Sequence, residues 1–125
     1  MPDIMISYDL KTGSPVPYGP FMEAAEKEGL LYVWKGAKFV SRLPNTTVWG
    51  VFTDCPTANA AFDRALVAAG KVVGYKITLE KRMTVSYEGA ESSSNKRKEP
   101  VPKWTGTTAF QTSRLHQKND PFFVY

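Results

Sequence analysis

The chain has 125 residues, one domain by the usual length prior. Hydrophobic residues make up 42% and charged residues 22%, which excludes a disordered chain or a coiled coil, and no apolar run approaches the ~20 residues of a membrane span. The net charge of +4 is uneven: residues 1–90 hold ten Lys/Arg against nine Asp/Glu, residues 91–125 hold six against three, so the basic excess lies in the tail.

In chain order, Ile4 to Asp9 alternates, with Ile4, Ile6 and Tyr8 on one side and Met5, Ser7 and Asp9 on the other, which predicts a strand. Gly13 to Pro17 reads as a loop. Pro20 suits the first turn of a helix over Pro20–Glu28, whose apolar side is Phe21, Met22, Ala24 and Ala25 and whose stop is Gly29. Leu30 to Leu43 is rich in β-formers, interrupted at Gly36 by a bend or bulge. Pro44-Asn45 reads as a turn into a strand over Thr46–Phe52, so these two segments are expected to form a hairpin. Thr57 is a candidate N-cap for a helix over Ala58–Ala69, closed by Gly70. Gly74 to Glu80 alternates as a strand, and Met83 to Tyr87 is a candidate fifth strand.

From Glu88 the composition changes. The stretch through Ser92-Ser93-Ser94 to Pro100 reads as flexible linker, while Trp104, Phe110 and Phe122-Phe123-Val124-Tyr125 are too apolar to stay in water. The expected organisation is a folded domain over 1–90, a basic linker over 91–103 and a docking tail over 104–125. The element order predicts an α+β fold: a ferredoxin-like split βαβ arrangement, with two helices on one face of an antiparallel sheet. Met5 and Trp49 then fall on the other face, which predicts a homodimer through it.

Few residues offer chemistry. A single Cys55 permits no disulfide within the chain, and with one histidine the common zinc sites are excluded. The acidic N-terminal Asp3 argues against a secretory signal, so a cytoplasmic location is expected. Asp9 ends the first strand on the Met5 side, where a two-fold axis would bring two carboxylates together around one Mg²⁺ or Mn²⁺. The plainer explanation is the turn: aspartate is common where a strand meets a loop, because its side chain bonds nearby backbone N–H groups. Lys35, Lys38 and Arg42 interleave with Trp34 and Phe39, and Lys96, Arg97 and Lys98 form a second basic group. Cations among aromatics can grip phosphates and stack bases, although edge lysines also guard strands against aggregation. His116 has no identifiable nucleophile or acid beside it and reads as a surface histidine.

Ile6-Ser7-Tyr8-Asp9-Leu10, then a helix ending at Gly29, then Leu43-Pro44-Asn45-Thr46-Thr47-Val48-Trp49-Gly50, resembles the SinR-like family of small proteins. More distantly it resembles the small CRISPR-associated adaptation nucleases, the Cas-two proteins. The resemblance covers about residues 3–87 and implies a ferredoxin-like homodimer. For the CRISPR relatives it implies a metal-dependent nuclease or a non-catalytic role in DNA adaptation, with Asp9 matching the strand-end aspartate. The chain departs from them in its long Tyr32–Leu43 segment and its tail, and it lacks a neighbouring Arg-Arg pair and a second acidic motif. Three functions follow as expectations: a nucleic-acid-directed dimer that cleaves with Mg²⁺ or Mn²⁺ at Asp9, a non-enzymatic binding or assembly module, or a small-molecule binder on the same fold.

Overall fold

The computed structural model describes residues 2–124. Strand β1 (Asp3–Leu10) is central in an antiparallel sheet ordered β4-β1-β5, between β4 (Thr47–Val51) and β5 (Leu79–Tyr87). Helices α1 (Tyr18–Lys27) and α2 (Cys55–Val73) both lie on the face formed by Ile4, Ile6, Tyr8 and Leu10. These four even-numbered residues are buried with Phe21, Phe62 and the small side chains Ala58, Ala61, Ala65 and Ala69. Tyr8, Phe21 and Phe62 meet edge-on or tilted, with ring centroids 4.7–5.1 Å apart. The chain is thus an α+β protein, as the alternation predicts, and the described residues form three α-helices and two small antiparallel sheets.

Both helix boundaries differ from expectation for local reasons. Helix α1 starts earlier, at Tyr18, and ends before Gly29, whose φ of +86° an L side chain rarely adopts. Helix α2 is capped by Asp54, which accepts the Thr57 N–H at 2.8 Å, so Thr57 lies inside the helix. It runs past Gly70 to Val73 and stops at Gly74, which is left-handed. Gly70 serves a packing role instead: a Cβ there would stand 3.0 Å from the Tyr75 carbonyl. The two expected C-terminal strands are one, β5, and residues 74–78 only lead into it.

The expected hairpin between 30–43 and 46–52 does not form. Gly36 and Phe39 close a tight turn, with the Gly36 N–H donated to the Phe39 carbonyl at 2.9 Å, so β2 (Val33–Lys35) pairs with β3 (Val40–Arg42). This local closure separates both strands from the main sheet, and among the described residues only Leu31 bridges to Trp49 of β4. A third strand, β6 (Arg97–Lys98), pairs with β3, giving a second sheet ordered β2-β3-β6. The stretch read as linker therefore carries a strand, and Ser94 Oγ donates to the Arg42 carbonyl at 3.0 Å.

The tail contains helix α3 (Ala109–Asn119), followed by a 3-10 turn at Pro121–Phe123. Thr108 accepts the Gln111 N–H while the Gln111 side chain accepts the Thr107 N–H, a reciprocal cap that starts the helix. Phe123 is buried with Val33 and Val40, Phe122 is 40% exposed, and Tyr125 lies outside the described residues. The tail also alters the face assigned to a dimer. Trp49 is 1% exposed, packed with Leu31, Leu43, Met5 and Phe110 of α3, and its indole N–H donates to the Val33 carbonyl at 2.6 Å. The chain covers Trp49 itself, and a partner is not needed there.

Candidate nucleic-acid interface

Alternation along the small sheet sorts the expected cations. Residues opposite each other across an antiparallel pair share a face. The register Trp34↔Ser41↔Arg97 puts these three on one face, and Phe39 shares the parity of Ser41. The register Lys35↔Val40↔Lys98 defines the opposite face, where Phe123 packs.

On the first face, the Arg97 guanidinium lies 5.0 Å from the Phe39 ring centroid, and Arg97 is exposed. Lys38 is exposed in the turn between β2 and β3. Lys96, opposite Arg42, belongs to the other face with Lys98, and its Nζ stands 5.9 Å from the Phe122 ring. Arg97 lies 58 positions after Phe39 in sequence, yet β6 brings it onto the sheet that carries Phe39. A cation over an aromatic face is a surface that can hold a phosphate and stack a base together.

Two expected contacts are reassigned. Arg42 is buried: its guanidinium donates to the Leu43 carbonyl at 2.9 Å and stacks 4.1 Å from the Tyr32 ring. It holds the loop around Leu43 and has no surface to offer a phosphate. Lys98 is ion-paired with Asp120, so its charge is already met. Lys35 is half-buried on the same side as Lys98.

His116 is not on the surface; it is fully buried. Nε2 accepts the Val101 N–H at 3.2 Å, Nδ1 faces Asp120 Oδ2 at 3.4 Å, and the rings of Trp104 and Phe123 meet the imidazole edge-on. Burial holds its pKa below the ordinary 6.5, against the opposing pull of the Asp120 hydrogen bond and charge. Burial works to raise the Asp120 carboxyl, but hydrogen bonds from Lys98, the Phe122 N–H and His116 outweigh it and hold the group below 3.8. The i,i+4 spacing of His116 and Asp120 was the available signal for this cluster, once residues 109–119 are read as a helix.

Asp9 is exposed at the end of β1, opposite Lys81 of β5. Among the described residues no group of three or more His, Cys, Asp or Glu is placed to hold a metal ion. A cleft of about 680 Å³ opens between α1 and α3; of the two acids that line it, Glu23 and Glu26, Glu26 is matched internally by Arg114 at 2.7 Å and Lys118 at 3.7 Å. Among the described residues no helix is long and apolar enough to cross a membrane. Comparison with protein families, curated proteins and solved structures finds no match to the chain.

Proposed function

We propose that the chain binds single-stranded nucleic acid without cleaving it, through the Phe39–Arg97 face of the small sheet. The carrying observation is the Arg97 guanidinium over the Phe39 ring, with Lys38 next to Phe39 in the turn. An unpaired base stacks on an aromatic ring whatever its identity, and the neighbouring cation meets its phosphate, so sequence preference is weak. Lys98 and Arg42 contribute through the fold, not through contact. The same reading takes the path β1-α1-Leu31-β4-α2-β5 as a split βαβ arrangement whose second strand has shrunk to the Leu31 bridge. The long Tyr32–Leu43 segment, where the chain departs from the SinR-like proteins, then supplies the binding surface.

The test is fluorescence anisotropy with labelled single-stranded DNA and RNA over a salt series. Arg97→Ala and Lys38→Ala should each weaken binding and lower the slope of log affinity against log salt by about 0.7. Phe39→Ala should weaken it with little change in slope. Absence of salt-sensitive binding overturns the reading. Cleavage that requires Mg²⁺ or Mn²⁺ and is lost in Asp9→Ala would replace it with the nuclease reading.

A further inference from the structure

The main sheet has an open edge. Among the described residues, β5 pairs only with β1, along a register from Asp3↔Tyr87 to Leu10↔Leu79. The direction of its outward groups follows from hydrogen bonds on the opposite side of β1. Tyr8 donates its N–H to the Thr46 carbonyl at 3.0 Å, and the Pro2 carbonyl accepts from Phe52, so even-numbered residues of β1 bond towards β4 and odd-numbered ones towards β5. Their partners Lys81, Met83, Val85 and Tyr87 therefore use their main-chain groups within the sheet. Arg82, Thr84 and Ser86 turn theirs outward. The Cys55 Sγ approach to the Thr84 carbonyl, at 3.9 Å, agrees with that direction.

Such an edge is ordinarily guarded by lysine, proline or a bulge. Here the guards sit at one end. Lys81 lies opposite Asp9, Arg82 is tied to Asp63 at 2.8 Å, and the register shift falls at Asp9/Leu10. The middle and far end, Met83 to Tyr87, carry no charge and no proline. Beside the edge, on the face away from the helices, Met83 is 66% exposed and Val85 42%.

We propose that a second copy of the chain pairs here, β5 antiparallel to β5, with the two-fold axis at Thr84. An axis normal to the sheet keeps the helices of both copies on one face and requires residues of the same parity to stand opposite each other. Centring on Arg82 sets two guanidinium groups together, and centring on Met83 sets Lys81 against Val85. Centring on Thr84 sets Met83 against the partner's Val85 twice, Arg82 against Ser86 twice, and Thr84 against itself. Thr84, Arg82 and Ser86 then exchange outward main-chain bonds, the Thr84 carbonyl accepting the partner's N–H on the lone pair that the Cys55 thiol does not use. Met83 and Val85 meet at non-hydrogen-bonded positions, where side chains approach closest. The product is one continuous sheet of six strands, and the Phe39–Arg97 surface plays no part in it.

The test is sedimentation equilibrium of the full chain without nucleic acid, alongside Met83→Lys and Ser86→Pro. Ser86→Pro deletes a donor that faces outward, so the fold should persist. Two hydrogen bonds per dimer are lost, which should weaken self-association about tenfold. Met83→Lys should weaken it without touching the backbone. In the dimer, the amides of Arg82, Thr84 and Ser86 should exchange slowly with solvent, and dilution or either substitution should release them. The amides of Met83 and Val85 should stay protected throughout. A chain that sediments as a monomer across the micromolar range overturns the proposal, as does a dimer unmoved by both substitutions.

Discussion

His116 accepts a hydrogen bond from the Val101 N–H at 3.2 Å, so its Nε2 must carry no proton for the tail to lie as it does. Protonation would set two donors face to face inside a buried site, with Lys98 adding a positive charge nearby and Asp120 opposing it. The unfolded chain takes up that proton below about pH 6.5, while the folded chain resists it. Stability is therefore full above that value and falls as the pH drops below it. A second loss follows below about pH 4, when Asp120, whose folded pKa is depressed, must be protonated. Thermal melting between pH 8 and 5 should show the first decline, and His116→Gln, which cannot titrate there, should flatten it. A melting temperature independent of pH in this range would contradict the account.

Phe123 should be the tail's main anchor. It is fully buried against Val33 and Val40 and meets the His116 ring. Phe123→Ala should cost roughly 3–5 kcal/mol by denaturant unfolding. Phe122, 40% exposed, should tolerate the same change at roughly 1 kcal/mol or less.

Gly50 is required by a close approach of backbone to backbone. A Cβ there would stand 2.3 Å from the Gly29 carbonyl oxygen, which no rotamer change can relieve. Gly50→Ala should destabilise by roughly 1–3 kcal/mol. Gly19→Ala, where an added Cβ meets nothing within 4 Å, is the matched control and should fold normally.

Arg42 and Arg97 should separate stability from binding. Arg42→Ala removes the donor to the Leu43 carbonyl and should lower stability by about 1–3 kcal/mol, leaving nucleic-acid affinity within about twofold while the chain is folded. Arg97→Ala should do the reverse, because Arg97 is exposed and lies only over Phe39.

The main sheet was legible because period-two alternation at Ile4, Ile6 and Tyr8 and period-3.6 spacing from Ala58 to Ala69 each mark a single buried face. Pairing was not legible in the same way. Leu30–Leu43 reads as β-rich with a bend or bulge at Gly36, but nothing local reveals that the chain there folds fully back to pair Val33–Lys35 with Val40–Arg42, or that Leu31 alone stays with Trp49. The second sheet needs Arg97 and Lys98, two residues in a polar stretch whose composition signals a linker. Burial of Arg42 was also invisible, since its partners are the Leu43 carbonyl and the Tyr32 ring, and neither depends on residue type at a recognisable spacing. Helix α3 is hard to read from the sequence although Thr108 and Gln111 carry a capping signature, because its apolar side chains are few.

The tail's contacts have a consequence for synthesis on the ribosome. Gln117 accepts the main-chain N–H of Tyr32, 85 residues earlier, at 2.9 Å, and Phe110 closes over Trp49. At 5–20 residues per second, about 4–17 seconds pass between the appearance of Tyr32 and that of its partner. During that interval Trp49, Leu31 and Leu43 lack their cover, and the nascent chain presents an apolar surface that the finished protein conceals. The period of greatest exposure to chaperones and to aggregation should fall late in translation, after the main sheet has its strands and before α3 has emerged.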